Sequence, residues 1–162
     1  MNDLTRRLAN HIKRTVTGPM WHGPALSDVL DGVTAETASA HPLAGGHSIW
    51  ELVLHVTMWA DVARARLRDE RISDPPPAED WPPVGDTTAA AWTSAVERMR
   101  ESYRALADDV KQLDDARLSE KITGLEYTVS NLLHGVIEHG TYHGGQIAVL
   151  KKAGDQSQVG SR

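Results

Sequence analysis

Apolar positions recur at helical spacing in four long stretches of this chain, and no stretch of useful length alternates as a strand would. Over about residues 3–17, Leu4, Leu8 and Ile12 fall four apart, and the pattern stops at Gly18-Pro19, where proline cannot continue a helix. A second helix is predicted from His47 or Ser48 to Arg71, with Leu52, Val56, Trp59, Ala60, Ala63 and Leu67 on one apolar arc. The third, over 87–113 with Asp86 as its N-cap, carries the most regular stripe. Trp92, Val96, Met99, Tyr103, Leu106, Val110 and Leu113 alternate spacings of four and three, the seam of a bundle helix. The fourth, over 131–152 with Ser130 as its cap, sets Leu132, Val136, His139, His143, Ile147 and Leu150 on one narrow arc.

Between these stretches the chain is irregular. Residues 20–46 are turn-rich, with short helical turns expected at 25–30 and 34–38. The run SDPPPAEDWPPVGD at 73–86 holds five prolines and reads as a stiff, partly extended connection long enough to cross the end of a bundle. Residues 114–129 form a third connection, and about 153–162 read as a polar, flexible tail. The expected architecture is an all-α four-helix bundle forming a single domain over 1–162. Long irregular connections on both sides of the second helix favour an up-down-down-up order.

Composition narrows the chemistry. At 162 residues one domain is expected, and the complete absence of cysteine excludes disulfides, thiolate zinc sites and a cysteine nucleophile. Any metal must therefore be held by nitrogen and oxygen. A net charge of −5 argues against the basic surface that nucleic acid requires. No apolar run approaches the roughly 20 residues of a membrane span, and the N-terminus lacks the apolar core of a signal peptide. A soluble cytoplasmic protein is expected. Phenylalanine is absent while five tryptophans are present; Trp50, Trp59 and Trp92 fall in helical patterns, Trp21 and Trp81 in irregular ones.

The chemical signal lies in the histidines. His139 and His143 are spaced i, i+4, so their rings leave one face of a helix a turn apart and can bite a single metal ion. Placing two imidazoles in an apolar stripe without partners costs a few kcal/mol, which a metal would offset. His55 sits at the edge of its helix's apolar arc and is the candidate third ligand. His134 points away from the stripe, and His11, His22, His41 and His47 read as surface or loop residues. The zincin pattern His-Glu-x-x-His is not met, because Gly140 follows His139. The Glu-x-x-His spacing of di-iron bundles is absent as well, which disfavours a dinuclear centre.

Around the three histidines, Glu51 is a candidate to orient the His55 ring from one turn away. Gln146 could contact a metal-bound water or substrate, or join two helices, and Tyr142 could donate a proton. Trp59 reads as core in preference to a pocket wall. The fourth helix also carries Gly135, Gly140, Gly144 and Gly145, each costing about 0.8–1 kcal/mol relative to alanine. Tight helix packing is the preferred reason, close approach of a ligand the other.

The segments HSIWELVLHVTMW and HGVIEHGTYHGGQI, in this order and separation, resemble the DinB/YfiT-like family of four-helix-bundle metalloenzymes over nearly the whole chain. The resemblance decides for His55: it implies a metal triad of His55, His139 and His143. Many relatives have arginine where this chain has Gly144. The resemblance further implies one divalent metal ion per chain, with zinc, nickel and iron not distinguished by three imidazoles. It also implies homodimerisation and a reaction of the low-molecular-weight-thiol S-transferase type, in which an activated thiolate attacks an electrophile; a related protein is a metal-dependent maleylpyruvate isomerase. A cysteine-free chain would draw its sulfur nucleophile from the cosubstrate. A non-catalytic bundle with a structural or regulatory metal, and a metal-dependent hydrolase, are the alternatives.

Overall fold

The computed structural model describes residues 3–159, with side chains described through residue 154. Its regular structure is helical, with seven α-helices among the described residues. The long ones are α1 (Asp3–Thr17), α4 (Ile49–Leu67), α6 (Ala89–Lys111) and α7 (Val129–Val159). Short helices α2 (Leu26–Val29) and α3 (Ala35–Ser39) fall where helical turns were expected, and a one-turn α5 (Pro77–Asp80) interrupts the proline-rich run. Pro77 stands in the first turn of α5, where its missing N–H has no helical partner to lose. A 3-10 turn covers Asp115–Ser119. None of the described helices is long and apolar enough to cross a membrane.

The four long helices form a ring in which α6 touches α1 and α4, and α7 touches α4 and α1. Side-chain contacts set the directions. Lys13 meets Asp108 at 2.9 Å, and the Asp115 carboxylate caps the start of α1 by accepting from Thr5 N at 2.9 Å and Asp3 N at 3.1 Å, so α1 and α6 run antiparallel. Trp50 packs on Trp92, Arg98 donates to Asp61 and Arg68 to Asp109, so α4 and α6 run parallel. His55 meets His139 while Arg66 meets Tyr127, which makes α7 antiparallel to α4. The order is up-down-down-up.

Parallel α4 and α6 have a structural consequence. The connection between them must return along the length of the bundle, not merely cross its end, and it carries α5 over the flank of α4.

The regular stripe of α6 is buried as expected from Trp92 to Val110, and the Trp92 indole donates to Val33 O at 2.8 Å. On α1 the buried face is Thr5, Ala9, Ile12 and Val16; Leu4 is 55% exposed and Leu8 only partly covered. Small residues there let α1 approach its neighbours closely, and Asp115 fixes Thr5 inward through a second bond to its hydroxyl.

Four helix ends differ from expectation; the first is that of α4, which stops at Leu67 and not at Arg71, because Asp69 takes a positive φ of 58° that no α-helix continues. Thr88, not Asp86, caps α6 by accepting from Ala91 N, while Asp86 accepts from Thr88 N and braces the cap from outside. Thr128, not Ser130, accepts from Asn131 N at the start of α7. At its other end α7 continues past Lys152 to Val159, where a tail had been expected; Ala153 and the glutamines favour helix and no proline stops it. Residues 160–162 lie outside the described ones.

Candidate metal centre

His55 leaves α4 toward α7, and His139 and His143 leave successive turns of α7 toward α4. Their Nε2 atoms converge: His139 Nε2 stands 3.0 Å from that of His55 and 3.0 Å from that of His143. One nitrogen from each ring lies within 4.8 Å of the others. His55 and His143 are buried and His139 is partly buried.

The far nitrogens settle where the protons sit. Nδ1 of His55 lies 2.6 Å from Asp80 O, a carbonyl that can only accept, so Nδ1 carries the hydrogen and donates it. Nδ1 of His143 lies 2.6 Å from Gln146 Oε1, whose amide nitrogen is engaged with the Tyr142 hydroxyl, and is protonated for the same reason. In the neutral rings both Nε2 atoms are then bare lone pairs aimed at His139 Nε2. A single N–H on His139 could serve one of them but not both well, and His139 Nδ1 is itself buried without a hydrogen-bond partner among the described residues.

Neutrality is enforced by the surroundings. Burial, then repulsion from His143 and His55, brings the pKa of His139 down to about 3. Burial is also the leading cause that lowers His55 and His143. Three uncharged imidazoles with converging Nε2 atoms, two of them held by hydrogen bonds at the far nitrogen, form a donor set that fits a divalent cation.

The crossover connection supplies what the local sequence patterns did not reveal. Trp81 stacks on His55 with ring centroids 3.9 Å apart and on His47 at 3.5 Å, both nearly parallel. The Trp59 indole donates to the Asp80 carboxylate at 2.7 Å. Arg71 clamps the strap by pairing with Glu79 through its two terminal guanidinium nitrogens, Nη1 and Nη2, at 2.5 and 2.7 Å. Asp80 and Trp81 lie 25 or more positions from the histidine they position, and no periodicity links them to it.

Glu51 does not orient His55. Its carboxylate accepts from Ser48 N at 2.6 Å, completing a capping box at the start of α4, and meets His41 at 3.1 Å. The His55 ring is held by Asp80 instead. Gln146 lies within α7 and holds His143, and its hydrogen bonds among the described residues go to His143 and Tyr142 of the same helix. Tyr142 is 64% exposed at the mouth of the site. Trp59 is partly exposed and forms a cleft wall together with Leu132, Val136 and His139, so it is not a core residue.

One cleft opens on two of the histidines, and a second, lined by none of the three, lies beyond Gln146. The first, of about 430 Å³, is lined by His55, His139, Trp59, Asp80, Arg66, Tyr127 and Gly135 among others. The second, about 440 Å³, lies on the Gln146 side, with Leu43, His47, Tyr142, Gly145 and Val149 in its walls.

The glycines of α7 divide accordingly. A Cβ on Gly140 would stand 2.8 Å from both Thr15 Cγ2 and the Tyr103 hydroxyl, and one on Gly144 3.4 Å from Leu26. Gly135 and Gly145 have nothing within 4 Å of that position and border one cleft each. Tight packing therefore accounts for Gly140, is at most ordinary contact at Gly144, and does not account for the others.

A sequence model of the DinB superfamily matches residues 21–147, a span that contains all three converging histidines. No curated protein and no solved structure matches the chain.

Proposed function

This chain belongs to the DinB superfamily, and on that footing we propose that it binds one divalent metal ion through the Nε2 atoms of His55, His139 and His143 and serves a thiol S-transfer reaction there. The observation that carries the proposal is the convergence of three Nε2 atoms whose rings are kept neutral and, for two of them, oriented by acceptors behind them. A bound divalent ion would supply Lewis acidity, lowering the pKa of a thiol so that thiolate is present at neutral pH.

The chain's own residues do the rest. Asp80 O and Gln146 Oε1 hold the His55 and His143 rings by their Nδ1 hydrogens. Trp81 covers one face of His55 and keeps water from it, while the two clefts leave room for a cosubstrate and an electrophile. With no cysteine in the chain, the sulfur comes from a low-molecular-weight thiol. In the transfer an S–C bond forms at the electrophile, the thiol proton is released, and any leaving group departs with the electron pair of its bond. Homodimerisation and a cytoplasmic setting belong to the same proposal.

The test is to incubate metal-loaded protein with an electrophile in the presence and absence of a low-molecular-weight thiol, following products by mass. The expected result is thioether formed only with thiol and lost in His139→Ala. Equal consumption of electrophile in water alone would replace transfer with hydrolysis, and no conversion of any electrophile in a broad panel would favour a structural metal.

A further inference from the structure

The histidine cleft has a second polar end. Arg66 lies eleven residues after His55 on α4, a rotation of only about 20° from the same helix face and about 16 Å along it. Its side chain is 2% exposed. One guanidinium nitrogen, Nη2, is used to hold the strap, donating to Ser73 O at 3.2 Å and to the Asp74 carboxylate at 2.5 Å. Nη1 meets the Tyr127 hydroxyl at 2.5 Å, and Nε is buried with no partner among the described residues.

The guanidinium carbon stands 5.6 Å from the centre of the Trp59 ring and 5.9 Å from that of Tyr127, two cleft walls. Trp59 in turn stands 6.5 Å from the His55 ring and 6.1 Å from His139. The cation thus lies within two ring spans of the imidazoles. A strap clamp alone would need only Nη2 and its exposed partner, since the Asp74 side chain is 76% exposed. It leaves unexplained a buried charge in a side chain that lines the cleft and whose Nε has no partner among the described residues. Such a donor is expensive to bury unless something accepts from it.

We propose that Arg66, with the Tyr127 hydroxyl, binds the carboxylate of a substrate whose flat body lies along Trp59 and whose reactive end reaches the three histidines. A carboxylate suits the site because it accepts charge-assisted hydrogen bonds from a guanidinium and a phenol hydroxyl, Nη2 of Arg66 being already committed to Ser73 O and Asp74. The cleft volume of about 430 Å³ suits a small molecule of this kind. Between the two ends the walls are apolar, formed by Leu132, Val136 and the bare backbone of Gly135. The assignment of a reactive end rests on the proposed metal site; the anion site itself does not.

The experiment therefore uses the full chain stripped of metal by chelator, where no metal ion can attract the anion. Phenylacetate and its neutral analogue phenylacetamide are titrated while the Trp59 indole and Arg66 Nε–H resonances are followed by NMR. Phenylacetate should bind about tenfold or more tightly than the amide, shifting both resonances. That preference should vanish in Arg66→Met and fall several-fold in Tyr127→Phe. Equal binding of acid and amide, no binding of either, or an acid preference undiminished in Tyr127→Phe would overturn the proposal. Should Arg66→Met fail to fold, Tyr127→Phe decides on its own, since it removes one hydroxyl and leaves the clamp to Asp74 in place. A loss of the anion preference with normal metal binding refutes only this inference; the reverse refutes only the metal reading.

Discussion

Three of the glycines of α7, Gly135, Gly140 and Gly145, make opposite predictions under the same substitution. Alanine is about 0.8–1 kcal/mol better than glycine in a helix interior. At Gly135 and Gly145 the new methyl would meet nothing within 4 Å, so that gain is realised in full. For a chain of this length it amounts to a rise in Tm of roughly 2–4 °C for each substitution. At Gly140 the methyl would stand 2.8 Å from Thr15 Cγ2 and from the Tyr103 hydroxyl, a distance that forces α1 and α6 away from α7. Overpacking of this kind costs about 1–3 kcal/mol, enough to cancel the propensity gain and in most of that range to exceed it. Tyr103 is fully buried and cannot swing aside. Thermal melts of the three single variants under one condition test the contrast, with Gly135→Ala and Gly145→Ala above the parent and Gly140→Ala below it. A destabilised Gly135→Ala or a stabilised Gly140→Ala would refute the reasoning. The two stabilised variants should also bind cleft ligands more weakly, because each adds a methyl to a cleft wall.

Two further outcomes follow from named hydrogen bonds. Gln146→Leu removes the acceptor behind His143 while keeping the helix, and metal affinity measured against a competing chelator should fall about 10–100-fold with no comparable loss of stability. The Asp115 carboxylate is held below its ordinary pKa chiefly by the Thr5 backbone N–H it accepts from, with Leu4 N, the Thr5 hydroxyl and Asp3 N adding to it. Its folded pKa lies below the unfolded one, so its contribution is complete above about pH 4 and is lost as pH falls through the folded value. Asp115→Asn should therefore be less stable than the parent at neutral pH, and the gap measured by denaturant titration should close as the pH is taken below about 4.

Local patterns reached as far as single helices carry information. The α6 stripe was legible because each apolar position from Trp92 to Val110 faces one continuous core, and His139 and His143 were legible because i, i+4 spacing alone puts two rings together. The start of α4 was legible to within a residue, at His47 or Ser48; the Ser48-x-x-Glu51 capping box that fixes it was passed over, and that local role is what occupies the Glu51 carboxylate. Asp80 and Trp81 were not legible. They reach His55 only because α4 and α6 run parallel and force the proline-rich connection back along the bundle, a tertiary event with no periodic trace. Arg66 and Tyr127 met through the same kind of long-range closure. On α1, leucine spacing pointed to Leu4 and Leu8, but packing against close neighbours selected the small residues Thr5 and Ala9.

The central claim is that His55, His139 and His143 hold one metal ion. Elemental analysis of protein purified without an affinity tag and reconstituted with divalent metal tests it most directly, alongside His139→Ala handled identically. The account predicts about one ion per chain in the parent, as a three-imidazole site would hold, and loss of that ion in the variant with the fold intact by circular dichroism. A parent that retains no metal, or a folded variant whose metal content is unchanged, would contradict it.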